Sequence, residues 1–273
     1  MSNYMSNKIK SDFLPESILK LFDQETIEML KSSNPKKRQK ALVNIKKTVS
    51  QLTVGLSEKK AKELSEPITH LMRQILSDEN SEVYLEALKI VKFIISSFAP
   101  HLGALDLHIL IGSFIGIIVS NTVSSNVRIQ VASDKVVIFF AKHNNIGPFV
   151  VARDIVKNIE KISKAIEVSG NKKETFSDKK SFLTRFLSIL LLLVNQFSIV
   201  LCYESDFNDK MVACLAQLIT ISDSDQNIKS LVSQILAALH NIDQQTLSVS
   251  INKLDPIKKA PLLKIKVRFL LSI

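Results

Sequence analysis

In "SEVYLEALKIVKFII", starting at Ser81, apolar residues recur every three or four positions, the stripe of a helix with a buried face. The polar turn Ser77–Asn80 precedes it. The same grammar occurs earlier in "SSNPKKRQKALVNIKKTV", Ser32 to Val49, and later in "SSNVRIQVASDKVVIFFA". Asn34, Asn80 and Asn126 are spaced 46 residues apart, and Ala-Leu follows the first two at Ala41-Leu42 and Ala87-Leu88. Asn227, in "SDSDQNIKSLVSQILAALHN", lies 101 residues past Asn126, which leaves room for one further unit. That unit is placed at Asp178 to Val194, after the polar stretch "SGNKKETFSDKK".

Each of these turns also has a helical pattern before it. The patterns are "KKAKELSEPITHLMRQIL", "LDLHILIGSFIGIIV", "FVVARDIVKNIEKISKAI" and "NDKMVACLAQLITI". A last pair, "QQTLSVSINKL" and "PIKKAPLLKIKVRFLLS", is joined through Asp255-Pro256. Two helices per period of about 46 residues is the signature of HEAT-type repeats. One pair cannot bury its apolar face alone, so pairs stack around a shared core. Asn, Asp and Ser at the turns suit helix N-caps. The expectation is an all-α solenoid of about six HEAT-like helix pairs, forming one domain over residues 13–273 behind a loose leader at residues 1–12.

Composition agrees. A chain of 273 residues with 46% hydrophobic content can bury roughly 70–75% of its unfolded surface. Its 6 Gly and 7 Pro are few for a fold that must turn every few residues. The start has neither a signal-peptide core nor an Arg-rich transit pattern. Cys202 and Cys214 have no CxxC spacing and read as small buried hydrophobes.

Catalytic signatures are missing: no phosphate-binding loop, dinucleotide fingerprint, HExxH or nucleophile elbow occurs. His70, His101, His108, His143 and His240 are dispersed and read as cap or surface residues rather than metal ligands. The carboxylates Asp78-Glu79 and Asp223/Asp225 sit in turns, where capping accounts for them. No cofactor, metal or small-molecule substrate is expected. Two apolar runs bear on a membrane reading. "ILIGSFIGIIV" is too short to span, and its Gly112 and Gly116 are read as allowing close helix packing. "FLSILLLLVNQFSIVLCY" is long enough, but Asn195-Gln196 interrupts it and it keeps the repeat register, so it reads as a central buried helix.

Charge changes the picture most. The net charge is +10, which favours an acidic partner. Lys31, Lys36, Lys37, Arg38, Lys40, Lys46 and Lys47 form a run with no acidic residue among them. Later turns add Arg128, then Lys172, Lys173, Lys179 and Lys180, then Lys229, and finally Lys258 and Lys259. Aligned turns in a solenoid would gather these into one basic ridge. Lys at a helix start opposes the macrodipole, so something other than helix stability selects it there. Aromatics make up 6% of the chain, with no Trp, and only Phe176 and Phe182 interleave with the basic turns. This argues against base stacking on nucleic acid.

At these turns the chain resembles the TOG domain, the tubulin-binding array of six HEAT repeats in microtubule polymerases, CLASP-type rescue factors and ciliary crescerin-like proteins. The resemblance spans roughly residues 15–271. The family's first turn reads approximately Asp-Trp-Lys-x-Arg, and here it is Asn34-Pro35-Lys36-Lys37-Arg38. Asn80 and Val83 match the second turn, Val127-Arg128 after Asn126 the third, and Lys229 the fifth. "KLDPIKKAPLL" is similar to the family's closing segment. Pro35 departs from the pattern: it is comfortable at a first helical position but replaces the aromatic anchor. The resemblance implies a non-catalytic module that binds the tubulin heterodimer or the microtubule lattice through these turns. It also implies a cytoplasmic, cytoskeletal setting such as the centrosome, spindle or cilium. Lys36, Lys37 and Arg38 would pair with acidic tubulin surface, and Val83 would make an apolar contact. Arg128, the Lys179-Lys180 pair and Lys229 would extend the ridge. Two other readings are a HEAT adaptor for a different acidic protein and a basic HEAT-like nucleic-acid binder.

Overall fold

The structure, a computed structural model, describes residues 16–169, 172–202, 204–222 and 225–270. The expected leader at residues 1–12 lies outside them, as do Asp223 and the side chains of Lys172, Lys173 and Cys202. Among the described residues there are fourteen α-helices, one short 3-10 turn and no strand. They group into two compact units. The first runs to Phe139 and includes His143–Ile146; the second holds Phe140–Lys142 and continues from Gly147.

In the first unit, α1 (Glu16–Leu19) leads into the pair α2 (Gln24–Lys31) and α3 (Pro35–Leu52). The second pair is α4 (Glu58–Leu76) and α5 (Ser81–Phe98). In the third, α6 (Ala104–Gly112) and α7 (Ile115–Asn121) stand before α8 (Val127–Lys142), whose last three residues belong to the second unit. The second unit contains three pairs. These are α9 (Gly147–Val168) with α10 (Lys172–Cys202), α11 (Ser205–Ile221) with α12 (Gln226–Ile242), and α13 (Gln244–Asn252) with α14 (Pro256–Leu270). The six expected helix pairs are all present.

Packing follows the solenoid plan. Second helices stack on second helices, α3 on α5 and α10 on α12, while α9 and α11 stack as first helices. The apolar stripe of α4 buries Ala61, Leu64, Ile68, Leu71, Met72 and Ile75. Flanked on two sides, α5 buries Val83, Tyr84, Ala87, Leu88, Ile90, Val91, Ile94, Ile95 and Phe98. Each such aliphatic side chain contributes about 1.5–3 kcal/mol by leaving water. The apolar run in α10 behaves likewise: Leu183, Phe186, Leu187, Leu190, Leu193 and Val194 are buried as the helix packs against α9 and α12. The stretch Lys179–Phe197 is long and apolar enough to cross a membrane, yet those six residues serve this core. α10 bends at Phe197, where the backbone leaves helical geometry.

Caps confirm the turn grammar. The Asn34 side chain accepts from the Lys36 backbone N–H, Asn80 from Glu82 and Val83, and Asn126 from Arg128. At the fifth turn the cap is Asp225, which accepts from Asn227 and Ile228; Asn227 itself lies inside the helix. α10 starts at Lys172, six residues before the start expected at Asp178. The pattern "LDLHILIGSFIGIIV" is two helices bent by 44° rather than one. Ser113 turns its hydroxyl back onto the Leu110 carbonyl, and Phe114 is fully buried between them. Gly112 therefore does not mark a close helix contact: a Cβ added there would meet nothing within 4 Å.

Candidate functional site

In the first unit, two arginine–carboxylate rungs tie the three intra-pair turns together. Arg38, on the first turn of α3, reaches Asp78 in the second turn with a two-pronged contact, Nε to Oδ2 at 2.7 Å and Nη2 to Oδ1 at 2.9 Å. Its Nη1 donates to the carbonyls of Ser32 and Ser33, at 2.8 and 3.1 Å, satisfying backbone acceptors at the exit of α2. Asp78 Oδ1 also accepts from the Asn80 backbone N–H, at 2.8 Å, at the entry to α5. The side chains are 14% and 4% exposed.

The second rung joins the second and third turns. Arg128 Nη1 lies 2.5 Å from Glu82 Oε1, and the two side chains are 67% and 46% exposed. Beneath it, Tyr84 Oη and Ser133 Oγ share a buried hydrogen bond of 2.8 Å between α5 and α8. Burial pushes the Tyr84 phenol up to about 12, against the opposing pull of its hydrogen bonds to Ser133 and Asn121, so it stays neutral.

This geometry revises several expectations. Arg38 is not a loose cation: its guanidinium is committed to Asp78 and to two carbonyls. The first-unit edge is also not uniformly basic, because the second turn presents Glu79 and Glu82. Unpaired positive charge is concentrated at the first turn. Lys36 and Lys37 are exposed there, with no carboxylate partner among the described residues, beside half-buried Pro35 at the first helical position and the exposed cap Asn34. Val83 is fully buried, because it follows the Asn80 cap by three residues and so faces the core of α5. It cannot serve as the apolar contact. The exposed apolar residue on this edge is Val127, 66% exposed in the first turn of α8, with Val131 one turn further on. A β-branched apolar residue directly after a cap was the sequence signal for it.

In the second unit, Lys180 pairs with Asp225 at 2.7 Å, linking α10, two turns past its start, to the fifth turn. Burial pushes the Asp225 carboxyl up, but Lys180 and the Ile228 and Asn227 N–H groups outweigh it and hold it below the usual carboxylate value. Lys179 is exposed with its Nζ 5.9 Å from the Phe182 ring, and Lys229 is half-buried on α12. Cys214 is buried and burial pushes its thiol up, away from reactivity. Among the described residues, no group of three or more His, Cys, Asp or Glu could hold a metal ion.

Paired helices stacked in two layers, with successive intra-pair turns braced to one another, define a HEAT-type array of the TOG kind. Residues 17–172, over half of the chain, match the family described as "Centrosomal protein CEP104, TOG domain", and the chain belongs to that family. The fold is shared with a solved CEP104 TOG domain at a TM-score of 0.70 and 16% identity, covering 94% of this chain and 95% of that one. The TOG domain of human Cep104 gives a TM-score of 0.68 at 13% identity, covering 93% of each chain. TOG3 of Drosophila melanogaster Mini spindles gives 0.55 at 15% identity, covering 91% of this chain and 93% of that one. No curated protein sequence matches the chain significantly.

Proposed function

We propose that this chain is a non-catalytic tubulin-binding module that contacts the tubulin heterodimer or the microtubule lattice through its intra-pair turns and regulates microtubule dynamics. The cytoplasmic centrosome, spindle or cilium is its proposed setting. Family membership supports the class. The observation that carries the site is the exposed pair Lys36–Lys37 on a turn braced by Arg38 and Asp78. A rigid turn holds its charges in place before binding, so little ordering is required on contact. Lys36 and Lys37 supply charge to an acidic surface, and Asn34, Asn80 and Asn126 fix the backbone of the three turns. Val127 supplies the apolar contact, taking the part that Pro35 and Val83 leave open. Arg128 extends the first unit's edge; Lys179, Lys180 and Lys229 contribute from the second unit.

Titration of unpolymerised tubulin with the Lys36→Glu/Lys37→Glu double variant tests this reading. Binding should weaken by about tenfold or more, because the reversed charges face an acidic partner. The unfolding midpoint should hold, because both side chains are exposed. Arg38 is unsuitable for this test, since reversing it attacks the fold. Unchanged tubulin binding by the double variant removes the first turn from the site. Binding to a different acidic protein with no response to tubulin favours the adaptor reading.

A further inference from the structure

A second feature of the first unit runs inward from the turn edge. Between α5 and α8, lined also by Gln39 of α3, runs a groove with a cavity volume of about 310 Å³. Its mouth is the Glu82–Arg128 rung, and its far end carries Lys92 and Lys135. Leu85, Leu88, Ala132 and Val136 supply apolar lining between them. Lys92 sits over the Phe139 ring, 5.6 Å from its centroid. Lys92 and Lys135 have no carboxylate partner among the described residues, whereas Lys89 is held by Glu86 at 2.6 Å. The groove therefore has two lysines without a carboxylate partner at its far end, an exposed arginine held by Glu82 at its mouth, and an apolar middle.

We propose that this groove is a second binding site, which holds an extended acidic peptide segment of a protein partner. The spacing sets the ligand. Arg128 to Lys135 spans seven residues of α8, and Glu82 to Lys92 ten residues of α5, so the cationic ends lie about 10–15 Å apart at 1.5 Å per residue. An extended strand advances about 3.3 Å per residue, so carboxylates three or four residues apart reach both ends. The residues between them lie on the apolar lining. A nucleic-acid backbone fits less well, because its phosphates recur too closely to avoid Glu82 and Glu86 on the walls, whereas a peptide can carry carboxylates at the two ends alone. The groove also lacks an aromatic platform for bases, because Phe139 is covered by Lys92.

The test is a fluorescence-anisotropy titration of the full chain with a labelled, end-capped Glu-Leu-Ala-Leu-Glu peptide at low ionic strength. Lys92→Ala/Lys135→Ala should weaken binding about tenfold, equivalent to about 1.4 kcal/mol. Lys46→Ala/Lys47→Ala, two exposed lysines outside the groove with the same change in net charge, should leave it within about twofold of the parent. Ala132→Phe, which fills the groove without changing charge, should weaken binding as much as the lysine pair does. Equal losses in the two lysine pairs would show diffuse attraction to a basic protein and overturn the site. So would full binding by Ala132→Phe, no binding by the parent, or tighter groove-dependent binding of a single-stranded oligonucleotide of equal charge. The peptide assay contains no tubulin, so its outcome is independent of the tubulin titration.

Discussion

Arg38 and Arg128 each follow an asparagine cap and each bridge to a carboxylate of the neighbouring turn, yet they have opposite characters. The Arg38–Asp78 pair is 14% and 4% exposed, and the Arg128–Glu82 pair 67% and 46%. The difference comes from position relative to the cap. Arg38 stands four residues after Asn34, a full helical turn in, where its guanidinium can fold back beneath the turn onto the Ser32 and Ser33 carbonyls. Arg128 stands two residues after Asn126, on the outer rim, where it meets Glu82. Two similar-looking arginines thus divide into one that builds the edge and one that the edge displays. Lys180–Asp225 in the second unit is intermediate, with a buried carboxylate at 7% and a half-open lysine at 48%.

Removing the buried acceptor gives the largest effect. Asp78→Ala leaves the Arg38 guanidinium without its countercharge in a nearly closed site and frees the Asn80 N–H. We expect a loss of about 3 kcal/mol in urea unfolding. An apolar replacement of both partners, Arg38→Met/Asp78→Leu, should recover only part of it, because it removes the orphaned charge but leaves the Ser32 and Ser33 carbonyls and the Asn80 N–H without their partners. A loss below about 1 kcal/mol for the single variant would put this rung in the same class as Arg128–Glu82. Arg38→Lys comes next. It keeps the charge but loses the fork that reaches a carboxylate and two carbonyls together, and should cost about 1–2 kcal/mol by the same measurement.

These contrasts explain what the sequence could disclose. The caps Asn34, Asn80 and Asn126 were legible because a cap acts on backbone two or three residues away, and 46-residue spacing repeats it in register. Hence the helix pairs and their turns could be read directly. Partners 40 residues apart could not: nothing local distinguishes Asp78, committed to Arg38, from exposed Glu79 beside it. The basic run from Lys31 to Lys47 therefore looked like one uniform ridge, although one of its members is structural. Val83 was misread for a related reason. Matching it to a family position gave its place in the turn, but the position three residues past the cap lies on the buried face of α5, so the valine falls into the core. At the fifth turn Asn227 served only as the landmark of the repeat, and the capping read for the Asp223/Asp225 pair falls to Asp225.

The intermediate rung sharpens the comparison through pH. The folded Asp225 carboxyl lies below its ordinary value of 3.8. A depressed carboxyl contributes stability in full above the unfolded value, and that contribution is lost as pH falls through the folded one. Asp225→Asn keeps a competent cap but removes the charge facing Lys180. The parent should exceed the variant by about 0.5–1 kcal/mol near neutral pH, discounted for the half-open lysine. That difference should close below pH 3.8, in urea unfolding followed across the acid range. A difference that stays constant into acid would assign the effect to capping geometry instead of charge.

The exposed rung should matter least to stability and most to recognition. Glu82→Gln removes the carboxylate that occupies Arg128 while keeping the backbone N–H that Asn80 caps. Its cost to folding should stay below about 0.5 kcal/mol, because an ion pair this open is solvated and screened. On the proposed turn edge, Glu82 competes with the partner's acidic groups for Arg128. Freeing the guanidinium and removing one negative charge from the second turn should therefore tighten binding to unpolymerised tubulin several-fold at low salt. The gain should shrink as the screening length falls to about 8 Å near physiological ionic strength. Arg128→Ala should weaken binding, and Glu82→Gln added to it should restore little, because the guanidinium it would release is gone. Weaker tubulin binding by Glu82→Gln alone would mean that the rung must stay closed for the edge to work, making Arg128 a brace like Arg38 after all.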